Sequence, residues 1–173
     1  NHSDTMLLWE NTFRYEVRRL PKENNNEIAP LQIQKENYPR KNNHSCLFLN
    51  TYYHAFHDQY YKNNEHLASA SYGTQITSLQ SQLFGDSDFY STALEKTGWQ
   101  AEDLIVNCGF LQEAWSRENG FSGKGLEIAI EQVRRLKPQV IYIQDLSIAT
   151  KHFLSAIRPY TELIVGQIAT SVP

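Results

Sequence analysis

Residues 126–145, LEIAIEQVRRLKPQVIYIQD, decide the fold. Leu126, Ala129, Ile130, Val133 and Leu136 recur at three- and four-residue steps and make one apolar stripe of a helix. Arg134, Arg135 and Lys137 fall in its last turn, where cations suit the carbonyl end of the helix dipole. Pro138 stops it, because proline has no N–H to continue the ladder. The period then changes. Val140-Ile141-Tyr142-Ile143 is a short unbroken apolar run, the pattern of a strand buried on both faces.

The same alternation extends in both directions. Upstream, Cys46-Leu47-Phe48-Leu49 is a first strand. Phe56, Tyr60 and Leu67 follow at helical spacing, then Tyr72, Ile76, Leu79 and Leu83, with Gly85 ending that helix. Ser87 is placed to cap the next helix, which carries Tyr90, Ala93 and Leu94 and stops at Gly98. Leu104-Ile105-Val106 is a second strand, and Phe110, Leu111, Ala114 and Trp115 a further helical stripe. Gly120, Gly123 and Gly125 break the chain before Leu126. Downstream, Ser147 is placed to cap a helix with Ile148, Phe153, Leu154 and Ile157, ending at Arg158-Pro159. Leu163-Ile164-Val165 starts a fourth strand that extends to Ile168. Strands alternating with helices predict an α/β fold: a Rossmann-like parallel sheet of about four strands with helices on both faces and right-handed crossovers.

The first 44 residues are different material. Met6, Trp9, Phe13, Val17 and Leu20 read as a helix over 5–20, although Phe13, Tyr15 and Val17 also alternate as in a strand. Residues 21–44, with Pro21, Pro30, Pro39 and Asn24-Asn25-Asn26, read as a polar linker. The expected division is 1–44, helix and Asn/Pro-rich linker, and 45–173, the Rossmann-like domain.

The 173 residues are 40% hydrophobic, 20% charged and 12% aromatic, a globular composition. The net charge of −3 gives no basic footprint for nucleic acid. Cys46 and Cys108 match no zinc or redox spacing and read as reduced, buried thiols. No apolar run approaches the ~20 residues of a membrane span. Gly120-Phe121-Ser122-Gly123-Lys124-Gly125 has neither dinucleotide nor P-loop spacing, and it follows a helical stripe rather than a strand.

In an open parallel sheet, ligands bind beyond the carboxyl ends of the strands. Tyr52, Tyr53 and His54 follow strand one, Asn107 strand two, Gln144 and Asp145 strand three, and Gln167 lies at the end of strand four. Hydroxyls, amides and rings of this kind hydrogen-bond sugars well, and no positive cluster suits a polyphosphate. His54 and Asp145 are the candidate catalytic bases. Each also has a plain reading, His54 as an exposed residue at a helix start and Asp145 as a cap. Tyr52, Tyr53, Asn107, Gln144 and Gln167 are candidate substrate-binding residues, with packing and turn formation as the alternatives. No metal ligand set is apparent, since His54 and His57 at i, i+3 lack further partners.

Six segments carry a resemblance. They are Phe48-Leu49-Asn50-Thr51-Tyr52-Tyr53, Leu83 to Ser91, Leu104-Ile105-Val106-Asn107, Leu111-Gln112-Glu113-Ala114-Trp115, Lys137 to Asp145, and Leu163 to Ala169. Together these resemble the N-terminal, acceptor-side domain of bacterial GT-B glycosyltransferases, family-1/family-4-like, of surface-polysaccharide biosynthesis. The resemblance implies two Rossmann-like domains facing across a cleft. The acceptor, a glycan or lipid-linked sugar, would bind this half. The nucleotide-sugar donor would bind a C-terminal domain absent from these residues, and this half would hold no cofactor or metal. It also implies a cytoplasmic protein, with peripheral association at the inner membrane open, and a chain inactive without its donor domain. The alternative is a non-catalytic Rossmann-like ligand- or protein-binding module.

Overall fold

The computed structural model describes residues 44–167. The helix expected over 5–20, residues 21–43 of the linker, and Ile168 lie outside the described residues. In chain order the elements are β1 (Ser45–Asn50), α1 (His54–Asn63), α2 (Tyr72–Gln80), α3 (Phe89–Glu95), β2 (Gln100–Ile105) and α4 (Gly109–Glu118). There follow α5 (Leu126–Leu136), β3 (Val140–Ile143), α6 (Lys151–Ile157) and β4 (Leu163–Gly166). Short 3-10 turns occupy Glu65–Ser69, Leu146–Ile148 and Arg158–Tyr160.

The strands form one parallel sheet in the order β2-β1-β3-β4. Its register puts Leu49, Leu104 and Ile143 in one rank and Phe48, Asp103 and Tyr142 in the next. Alternate side chains of a strand face opposite sides, so these ranks feed two cores. On one side Leu47, Leu49, Leu104, Ile141 and Ile143 meet Ala129 and Val133 of α5 and Phe153 and Ile157 of α6. On the other, Cys46, Phe48 and Ala101 pack with Tyr90 and Leu94 of α3. Tyr60, Tyr61, Leu79, Cys108 and Leu111 bind α1, α2 and α4 together. The architecture is the Rossmann-like α/β sheet expected from the alternation, with helices on both faces. No helix among the described residues is long and apolar enough to cross a membrane.

Four local expectations change. Leu67 lies in the 3-10 turn rather than on α1, which ends at Asn63. Helix α2 ends at Gln80, so Leu83 leaves the apolar stripe, takes φ +51° and is 76% exposed. Ser87 caps nothing. Its hydroxyl donates back to the Gln80 carbonyl at 2.7 Å, closing the turn between α2 and α3. Ser147 gives way to two other caps. Asp145 accepts from the Ser147 N–H at 2.9 Å, and Thr150 Oγ1 accepts from the Phe153 N–H at 3.2 Å at the start of α6.

Candidate functional site

The chain leaves β1 for β2 on one side and later returns to β3 on the other. The carboxyl ends of β1 and β3 are therefore the topological switch point, where an open sheet leaves a crevice. Thr51 follows β1 and Asp145 closely follows β3, and they meet there. The Thr51 hydroxyl donates to Asp145 Oδ2 at 2.5 Å, while the Ser147 N–H holds Oδ1. The Thr51 hydrogen bond, outweighing partial burial, keeps the Asp145 carboxyl below the usual carboxylate range. Asp145 is thus an anion braced on both oxygens.

Gln144 and Gln167 continue the rim. The Gln144 N–H donates to the Leu49 carbonyl at 3.1 Å and the Gln167 N–H to the Ile143 carbonyl at 2.9 Å, so the ladder extends past the strand ends. The Tyr142 hydroxyl donates to Gln167 Oε1 at 3.2 Å. Both glutamines are half-buried.

The segment after β1 is fixed by Asn107. Its Oδ1 accepts from the Tyr52 N–H at 3.0 Å and its Nδ2 donates to the Tyr52 carbonyl at 2.7 Å. The amide of Asn107 is therefore engaged in holding the turn. Tyr52 itself is buried, edge-on to Phe56 and Phe84, and burial pushes its phenol up to about 12. Tyr53 is the ring that faces solvent, 78% exposed and propped edge-on by Phe84 at 5.7 Å. His54 starts α1 and is exposed. His57, one turn on, is buried, so the two imidazoles do not share an open face.

Thr51, Tyr53, Gln144, Asp145 and Gln167 thus lie on the carboxyl rim with usable polar or ring surface, whereas Tyr52 and Asn107 support it from beneath. Sequence reasoning missed Thr51 as Asp145's partner and missed Asp103 altogether. Asp103 lies in the Phe48–Tyr142 rank, buried against Asn50, Ser91 and Gln80. A carboxylate just before Leu104 was the available signal. A cavity of about 770 Å³ opens at the opposite, amino rim, beside His44, Gln139, Tyr160 and Glu162. Among the described residues no His, Cys, Asp and Glu side chains group as a metal ligand set. Comparison with protein-family models, curated proteins and solved structures returns no match for the chain.

Proposed function

We propose that the domain is the acceptor-binding half of a glycosyltransferase, receiving a glycan or lipid-linked sugar at the rim between β1 and β3. The observation that carries the reading is the Thr51–Asp145 pair at the switch point. It presents a fixed anion and a hydroxyl beside two amide side chains and the open ring of Tyr53, a set suited to sugar hydroxyls and a sugar face. In the transfer, the acceptor O–H would give its proton to a base, either Asp145 or His54. Its oxygen would bond the anomeric carbon of a nucleotide sugar, and the nucleoside diphosphate would leave. The donor would sit on a second domain.

The depressed carboxyl of Asp145 favours orientation of a hydroxyl over proton abstraction. That same observation keeps the non-catalytic ligand-binding module as the second reading. An amide-resolved NMR titration of the chain with methyl glycosides separates these readings from a nucleotide site. The expected result is shifts at Thr51, Tyr53, Gln144 and Gln167 that vanish in Asp145→Asn. Silence with every glycoside, or shifts produced at those amides by uridine diphosphate alone, would overturn acceptor binding. Joined to a donor domain, His54→Ala or Asp145→Asn should lower kcat by about 10²-fold or more if that residue is the base. Wild-type kcat in both variants would leave the binding module standing.

A further inference from the structure

The two groups that hold Asp145 also decide what it offers a ligand. An ionised carboxylate only accepts, through about four lone-pair sites on its two oxygens. Thr51 donates to Oδ2 at 2.5 Å and the Ser147 N–H donates to Oδ1 at 2.9 Å, so each oxygen has one site filled and one left. Thr51 has a single hydroxyl proton and Asp145 takes it, so Thr51 Oγ1 can then only accept. The pair is an acceptor-only cluster, half-buried at the carboxyl rim. A ligand group that meets it must arrive as a donor.

Two donors on neighbouring atoms match that arrangement. A carboxylate takes both parallel N–H groups of a guanidinium on its two oxygens at once. Hydroxyls on adjacent ring carbons present their O–H groups side by side in the same way. The rest of the rim favours the neutral donors. The Gln167 Oε1 already accepts from the Tyr142 hydroxyl at 3.2 Å, which leaves its Nε2 to donate. Gln144 adds a second amide and Tyr53 a ring that is 78% exposed. Amides and an open ring suit hydroxyls and a sugar face. None of Thr51, Tyr53, Gln144 and Gln167 adds the second carboxylate that would favour a cation.

We infer, resting on the sugar-binding reading above, that Asp145 recognises a vicinal diol, one hydroxyl on each carboxylate oxygen, and that Thr51 is the positioning residue that fixes the carboxylate for it. Thr51 holds one oxygen from the end of β1, 94 positions away in the chain, and the Ser147 N–H holds the other. The plane of the carboxylate is therefore set before a sugar arrives. A lone hydroxyl fills half of what it offers. The site selects by the adjacency of hydroxyls rather than by their number.

Amide-resolved NMR titrations of the whole chain test this with methyl glucoside, galactoside and mannoside, each run beside its 3-deoxy and 6-deoxy forms. Both deoxy forms keep three hydroxyls, but only the 6-deoxy form keeps neighbouring ones. Read at the Gln144 and Gln167 amides, the 6-deoxy sugar should hold the affinity of its parent, and the 3-deoxy sugar should lose about tenfold or more. Thr51→Val keeps the shape of the side chain and drops the hydroxyl. It should bring the affinity ratio of the two deoxy sugars towards one, and Thr51→Ser should restore it. A merely structural loss weakens both sugars alike and leaves that ratio where it was. Equal affinities of the two deoxy sugars in the wild-type chain would overturn the diol and leave sugar binding standing, whereas silence with every glycoside would overturn both. An unchanged ratio in Thr51→Val would remove Thr51 from the role. Methylguanidinium is the probe for the rival cation, and a stronger response to it than to any parent glycoside would also overturn the diol. The wild-type comparison decides the matter even where a variant fails to fold.

Discussion

His57 shows what one buried imidazole does to the molecule. It is 7% exposed, packed against Tyr52 and Phe56, and its Nε2 has no hydrogen-bond partner among the described residues. Burial first, then the charge of His54, push its pKa below the ordinary 6.5. The unfolded chain therefore takes up a proton near that pH which the folded chain refuses. Its contribution to stability is present above about 6.5 and is lost as pH falls. The prediction is that His57→Leu weakens the acid-side loss, read as a flatter dependence of the urea midpoint on pH between about 5 and 7. An unchanged slope would mean that His57 is protonated in the folded state. This imidazole was not legible as a buried titratable residue. His57 sits at i+3 from His54 like any surface pair, and the rings of Tyr52 and Phe56 that pack against it are themselves covered by Phe84, from a turn 27 residues later in the chain.

At the scale of elements, α5 was the most legible piece and α2 among the least, for a reason visible in their ends. In α5 the apolar stripe, the basic last turn and Pro138 all stop together. Ala129 and Val133 are fully buried where the stripe predicts, Leu136 at its end is 42% exposed, and Glu131 binds Arg134 and Arg135. In α2, Leu83 keeps the spacing of Leu79, yet the helix is already closed at Gln80 by bonds from Leu83 N–H and the Ser87 hydroxyl. Periodicity cannot register a hydroxyl that reaches back seven residues. The end of α5 also carries a testable flaw. Its C-cap is Lys137, left-handed at φ +47°, with its N–H bonded to the Val133 carbonyl at 2.9 Å. Glycine is the residue suited to that position, because it has no Cβ to strain against the following carbonyl. Lys137→Gly is expected to raise stability by up to about 1 kcal/mol, measured as a higher Tm with an unchanged circular dichroism spectrum. A lower Tm would show that the Lys137 side chain contributes more than the strain removes.

For the whole molecule, the alternation of strands and helices foretold a parallel sheet but not its order. That β1 lies between β2 and β3 depends on which side each crossover takes, and no local pattern records that choice. The order is also what brings Thr51 to Asp145, 94 positions apart in the chain, so the site was legible as a set of strand-end residues and not as a pair. It further ranks the strands by shelter. β1 is paired on both sides and carries the fully buried Leu47 and Leu49, and β3 is likewise paired on both sides through Ile141 and Ile143. β4 is paired on one side among the described residues, and its Leu163 is 51% exposed. Amides released only by global unfolding exchange slowest, whereas an edge strand opens locally at lower cost. Hydrogen exchange should therefore leave Leu47, Leu49 and Ile141 protected longest and free Ile164 and Val165 well before them. Equal protection of β4 and β1 would mean that something covers the outer edge of β4, either chain outside residues 44–167 or a second molecule. Repeating the exchange at several protein concentrations separates those two, since only the second should lose protection on dilution.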